Sequence, residues 1–253
     1  MNMEDIWHYQ ATPNLLKDKV ILVTGASDGI GRAAAKTYAA YGATVLLLGR
    51  DLNKLDAVYD EIEAAGGAQP AIIPLNFSAA LPSDFEKLAI TIEQEFGRLD
   101  GILHCAGVLG DLTPLEMYNP DTWDEVMKIN LRAPYMLTQQ LLALLKNAPD
   151  ASVIFMSSSV GRQARAFWGA YSVSKAGVEN LSALFADELE NTSNIRVNCV
   201  NPLGTRTPMR AKAYPAEDPM SVYPPEHIMP IFLYLMGADS KGITKKSLDA
   251  RGK

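Results

Sequence analysis

Six short apolar runs, rich in β-branched residues and leucine, punctuate the chain: VILVTG (20–25), TVLLLG (44–49), AIIPL (71–75), LDGILHCAG (99–107), SVIFMSS (152–158) and IRVNCVNP (195–202). Their length and composition predict strands, and their near-continuous apolar character predicts burial on both faces. Between them, apolar positions recur at helical spacing over 30–41, 52–65, 84–97, 121–146, 170–190 and 225–236. SLDA (247–250) predicts a short last strand. Strand and helix in alternation predict right-handed βαβ crossovers, hence an α/β fold with a doubly wound parallel sheet of about seven strands and helices on both faces. No Ser/Gly-rich or Pro-rich linker divides the chain, so residues 1–253 read as one domain, with 1–18 as an N-terminal extension. Pro202, Pro208, Pro215, Pro219, Pro224 and Pro225 crowd one stretch, which predicts a long functional loop over 203–224.

Composition narrows the function classes. Hydrophobic residues make up 48% of 253, enough for a substantial core. The net charge of −6 argues against nucleic acid or an anionic membrane as the main partner, since both need a basic footprint. The two cysteines, Cys105 and Cys199, lie in apolar stretches without metal-ligand spacing, and the three histidines are scattered. Buried free thiols in a cytoplasmic protein, with no metal site, are expected. The start of the chain, MNMEDIWHYQATPNLL, lacks the apolar core of a signal peptide, and no run is long enough for a membrane span.

The first predicted strand runs into TGASDGIGRAAAKTYAAYG, with glycines at 25, 29 and 31. A strand, a glycine turn and a helix N-terminus make an anion site, where backbone N–H groups and the helix dipole favour a pyrophosphate. Gly25, Ser27, Asp28, Gly29, Ile30 and Gly31 are therefore candidate dinucleotide contacts. The spacing is GxxxGxG rather than GxGxxG. At the end of the second strand, where an acidic residue would bind a ribose 2′-hydroxyl, stand Gly49 and Arg50. Arginine there pairs with a 2′-phosphate, so NADP(H) is favoured over NAD(H). Asp51 is a counter-signal, and Arg32 either assists a phosphate or faces water.

TGASDGIG, CAG (105–107), Asn130 in KIN, MSSSVG, YSVSK and NPLGTRT follow in the order and spacing of the short-chain dehydrogenase/reductase family, and the chain resembles that family from about Lys19 to Ala250. The resemblance implies a Rossmann-type sheet and hydride transfer between a nicotinamide and a carbonyl or secondary alcohol. It implies Asn130, Ser158, Tyr171 and Lys175 as the catalytic set. It adds Asn76, Phe77, Ala106, Gly107, Pro202, Gly204, Thr205 and Thr207 to the cofactor contacts, with Tyr171 and Lys175 also touching the nicotinamide side.

The chemistry agrees with those residue types. Reducing a ketone builds negative charge on oxygen, so the site must donate a proton and stabilise that oxygen. A free tyrosine titrates near pH 10, and an ammonium one helical turn away lowers that value. Tyr171 reads as the general acid/base and Lys175 as its electrostatic partner. A hydroxyl at Ser158, thirteen residues upstream, can donate to the substrate oxygen. The family assigns Asn130 to holding a water that links the lysine to solvent.

Three positions depart from the family's pattern. Cys105 replaces an asparagine that secures the central sheet, Asn76 replaces an aspartate near the adenine, and Leu203 replaces the glycine after Pro202. A catalytically weak nucleotide-binding sensor or structural protein would cite those three, while the intact catalytic set favours an enzyme. For the substrate, Arg162, Gln163, Arg165 and Trp168 precede Tyr171, with Trp168 read as packing rather than recognition. Arg206, Met209, Arg210 and Tyr214 lie in the 203–224 loop, whose apolar and aromatic members suggest a partly hydrophobic substrate. The arginines read equally as carboxylate or phosphate recognition and as solvated or subunit contacts. Helices 121–146 and 170–190 are apolar along much of their length, and the resemblance implies a homodimer or homotetramer through them.

Overall fold

The computed structural model describes residues 3–252; Met1, Asn2 and Lys253, which belong to the stretch read as one domain, lie outside the described residues. Seven parallel strands form one sheet: β1 (Val20–Thr24), β2 (Thr44–Gly49), β3 (Ala71–Pro74), β4 (Gly101–His104), β5 (Ala151–Met156), β6 (Ile195–Asn201) and β7 (Lys246–Asp249), in the order β3-β2-β1-β4-β5-β6-β7. The order reverses between β1 and β4, and in such sheets ligands bind in the crevice beyond the strand ends at that point. Thr24 pairs with Leu48 on one side and His104 on the other, so the turns after β1, β2 and β4 emerge at one edge.

The helices are α1 (Gly29–Ala40), α2 (Leu52–Ala64), α3 (Pro82–Phe96), α4 (Pro120–Met127), α5 (Ala133–Lys146), α6 (Ser159–Arg162), α7 (Gly169–Leu189), α8 (Pro208–Ala213) and α9 (Met229–Met236). Successive strand residues face opposite layers. Ile21 and Val23 join Ala34 and Tyr38 of α1, Leu55 of α2 and Phe232 of α9 in one core layer. Leu22, Ile102 and Val153 join Phe85 of α3, Leu141 of α5 and Val178 of α7 in the other. Asp28 caps α1 by accepting from the Gly29 N–H at 2.7 Å, and Asp51 caps α2 by accepting from the Lys54 N–H at 3.2 Å. Each satisfies a donor that a helix start leaves without an internal partner.

Two expected helices are corrected. The segment 121–146 is helical throughout but not uniformly α, because Lys128–Arg132 form a π turn between α4 and α5. The segment 225–236 opens as a 3₁₀ turn, Pro225–Ile228, and becomes α-helical only at Met229. Pro224, Pro225 and Pro230 have no N–H to donate and clash with the preceding turn, which shortens the regular helix. The N-terminal extension packs on the body: Ile6, Tyr9 and Leu16 are buried, and the Tyr9 hydroxyl donates to Asp239 at 2.6 Å.

Candidate active site

A cleft of about 490 Å³ opens at the strand-order reversal, a volume usual for small-molecule and cofactor sites. Gly25, Ser27, Asp28, Gly29 and Ile30 form its floor at the start of α1. Gly25 (φ 69°) and Gly29 (φ 51°) adopt left-handed backbone that side chains rarely take. A Cβ added to Gly25 would stand 2.8 Å from the Ala106 Cα, so the glycine also lets the turns after β1 and β4 approach. Gly31 does not line the cleft; a Cβ there would collide with the Gly25 carbonyl, and its service is this close packing.

Arg50 lines the outer end with Asn76 and Phe77. The Asp51 carboxylate, the counter-signal in the sequence, is engaged in capping α2. Lys54, one turn into α2, also lines this end and pairs with Asp28 at 3.2 Å. Sequence reading missed this second cation, although its position four residues after Arg50 was the available signal. Arg32 instead pairs with Glu61 at 2.5 Å, so it is not aimed at the cleft. The Asn76 amide oxygen accepts from the Ser78 N–H and hydroxyl, forming a local turn.

Ala106 and Gly107 line the middle of the cleft. The N–H groups of Cys105 and Ala106 both donate to the Thr24 hydroxyl, at 3.1 and 3.0 Å, which secures the turn where an asparagine is absent. Burial pushes the Cys105 thiol up to about 12, so it is an inert neutral group.

Ser158, Tyr171 and Lys175 line the inner end. Ser158 sits where β5 gives way to α6, and Tyr171 and Lys175 share one face of α7. Burial drives the Tyr171 phenol up to about 12, and a hydrogen bond with Ser158 offsets part of that rise. The Lys175 Nζ stands 5.7 Å from the ring centroid of Tyr171 and donates to the Met156 carbonyl at 2.7 Å. Burial lowers the lysine's own pKa. The resting phenol is therefore neutral, the form that donates a proton.

Asn130 is buried in the π turn and does not line the cleft. Its side chain accepts from the Val108 N–H at 2.8 Å and donates to the Val108 carbonyl at 2.9 Å and the Ser174 hydroxyl at 3.1 Å. It ties the turn after β4 to α7. Gly107 leaves the space between them: a Cβ there would stand 3.4 Å from the Asn130 oxygen and 3.9 Å from the Lys175 Nζ.

Pro202, Leu203, Thr205 and Thr207 close the cleft from the far side. Leu203 takes φ 58°, a left-handed conformation suited to glycine. Gly204, between Leu203 and Thr205, is outside the cleft lining, and its carbonyl accepts from Arg251 at 3.2 Å. The Thr205 hydroxyl donates to the Pro202 carbonyl at 2.9 Å, whereas Thr207 caps α8 beside the glycine turn. Arg162 is engaged by Glu179 at 2.9 Å and Asp249 at 2.5 Å, so it serves structure rather than substrate.

A family model described as short chain dehydrogenase matches residues 19–218. The sequence is 50% identical over 244 residues to the uncharacterized oxidoreductase YciK of Escherichia coli, covering 96% of each chain. A solved short chain dehydrogenase of Shigella flexneri, complexed with NADP, is 50% identical with a TM-score of 0.92, over 94% of this chain and 99% of that one. Another from Escherichia coli, complexed with NADPH, is 50% identical with a TM-score of 0.92, over 95% of this chain and 99% of that one. A family match that starts just before β1 and runs into the loop after β6, joined to such identity over almost the whole length, means that the chain belongs to the short-chain dehydrogenase family of NAD(P)-dependent oxidoreductases.

Proposed function

We propose that the protein is an NADP(H)-dependent oxidoreductase that interconverts a carbonyl and an alcohol, with Tyr171 as general acid/base. The observation that carries this reading is the convergence of Ser158, Tyr171 and Lys175 at the inner end of a cleft that runs from the glycine turn to Arg50 at its outer end. The glycine turn fits a pyrophosphate: two left-handed glycines, Gly25 and Gly29, expose backbone on the cleft floor at the start of α1. Arg50 would hold a 2′-phosphate, and the two similar structures with NADP and NADPH support that choice. Asn76 and Phe77 would meet the adenine end, and Thr207 the phosphates. Lys175, Pro202 and Thr205 would border the nicotinamide end.

A bound nicotinamide supplies or accepts the hydride. The chain supplies the proton and the charge control. In reduction, Ser158 donates a hydrogen bond to the substrate oxygen and Tyr171 transfers its phenolic proton there as charge develops. Lys175 then stabilises the phenolate that remains. Asn130 acts through position, fixing the Val108 turn and Ser174 on either side of the lysine. We also propose self-association through α4, α5 and α7, where Tyr135 and Leu184 are 40% and 52% exposed.

Tyr171→Phe tests the chemistry. It should lower kcat by at least about 100-fold, the usual scale of general acid catalysis, while NADPH still binds. Turnover at the wild-type rate overturns the assignment. For the cofactor, nicotinamide fluorescence should show tighter binding of NADPH than NADH, and Arg50→Ala should reduce that preference about tenfold or more. Equal affinities in the wild type overturn the Arg50 assignment.

A further inference from the structure

Past Tyr171 and Ser158 the cleft continues beneath the 203–224 loop. Its wall there is apolar and aromatic: Leu109, Trp168, Met209, Ala213 and Tyr214. The Trp168 ring lies 5.8 Å from that of Tyr171 and 5.9 Å from that of Tyr214, centroid to centroid. Phe167, next to Trp168, is 58% exposed with φ 72°, and carries the apolar wall outward on a left-handed residue. An exposed aromatic held in that conformation beside a site is the kind of local strain that marks function.

Of the cations in these segments, Arg162 is consumed by Glu179 and Asp249, Arg165 donates to the Tyr214 hydroxyl at 3.1 Å, Arg206 donates to the Met220 sulfur at 2.7 Å, and none of these three, nor Lys212, lines the cleft. Arg210 does line it. Its Nε and Nη2 donate to the two Glu217 oxygens at 2.7 and 2.6 Å, and its guanidinium carbon lies 3.8 Å from the centre of the Tyr214 ring. Guanidinium recognises a carboxylate through two parallel N–H bonds. On Arg210 those bonds already hold the protein's own carboxylate, and its flat face is stacked. The charge that would attract an acidic substrate is neutralised inside the lid.

We propose that the substrate is an uncharged carbonyl compound with a bulky apolar body, a ring stacked against Trp168 and Tyr214, and that the Arg210–Glu217 pair excludes carboxylate-bearing analogues. This rests on the carbonyl-reductase reading above. It turns the lid's arginine from a recognition group into a specificity filter, because a second carboxylate entering the chamber meets a pair already satisfied and an apolar wall that cannot solvate it.

Three probes separate the alternatives: an aryl methyl ketone, the same ketone bearing a ring carboxylate, and a short aliphatic aldehyde. Binding is read by calorimetry on the NADPH-loaded Tyr171→Phe enzyme, and turnover by NADPH consumption in the wild type. The neutral aryl ketone should bind at least about tenfold more tightly than its carboxylate analogue. Trp168→Ala should weaken the aryl ketone about tenfold and the aldehyde by less than about threefold. Glu217→Gln, which leaves the arginine unpaired, should shrink the neutral-to-carboxylate ratio about tenfold, and the double variant Arg210→Met with Glu217→Leu should restore it. Unchanged NADPH affinity in each variant verifies that the fold is kept. A carboxylate analogue that binds as well as the ketone, or a ratio that Glu217→Gln leaves unmoved, overturns the proposal. The expected binding pattern without turnover of any probe overturns the reductase reading instead, and leaves the ligand class standing.

Discussion

His104 lies on β4 under the cleft, 3% exposed, with its Nε2 2.8 Å from the Thr138 hydroxyl and its ring stacked 4.7 Å from Phe155. Burial lowers its pKa to about 3. The unfolded chain, titrating near the ordinary value of about 6.5, takes up a proton that the folded chain refuses, so stability falls as pH drops through the window from about 6.5 to 3. From pH 7.5 to 5, urea unfolding should register a loss of about 2 kcal/mol from this group, absent in His104→Gln. Tyr171 teaches a related lesson. Its spacing to Lys175 named the pair from the sequence, but spacing does not say where an ammonium points. Here it points to the Met156 carbonyl, and burial governs the phenol. Leu203 is similar: the missing glycine was visible in the sequence, while the left-handed backbone was not, because only the surrounding fold holds it there. The roles of Arg162 and Arg210 were equally hidden, since both depend on carboxylates far along the chain or across the lid.

Among the elements, the strands were the most legible, because continuous apolar runs between glycine and proline signals leave little choice of place. The π turn at Lys128–Arg132 was not legible as such, for one extra residue in a turn leaves the apolar stripe nearly intact. Its trace was Asn130, a poor helix residue in the middle of a helical pattern. The small residues around the site are legible once packing is known. Gly177 lies against Leu131, where a Cβ would come within 2.8 Å, so α7 approaches the π turn closely. Gly161 of α6 lies against the backbone of Lys175, where a Cβ would stand 2.7 Å from its carbonyl carbon. Gly161→Ala must push α6 and α7 apart. It should cost about 1–3 kcal/mol in urea unfolding, the usual penalty of overpacking, and should lower kcat through the displaced lysine.

Over the whole molecule, the two ends of the chain are stitched together. Tyr9 packs 5.3 Å from Tyr234 of α9 and bonds to Asp239, and Leu15 fills the space beside Gly237. The extension is thus part of the core behind α1. Tyr9→Phe should lose about 1 kcal/mol in urea unfolding, the value of one hydrogen bond, and Tyr9→Ala about 3 kcal/mol as the ring leaves a cavity. The lid is built differently. Thr205 and Tyr223 bridge as neighbouring strands do, and the Arg206 N–H donates to the Tyr223 carbonyl at 2.8 Å. The two ends of the flap therefore stand side by side, fastened to each other, and between them Met209 and Ala213 pack against the cluster of Leu109, Val160 and Tyr171. Inserts with paired ends change length and sequence at little cost to the body that carries them. On the proposed function, proton transfer rests on the sheet edge and α7, while the flap contributes both Thr207 beside the glycine turn and an apolar wall toward the substrate, so its rewriting is bounded by the residues that would grip the cofactor.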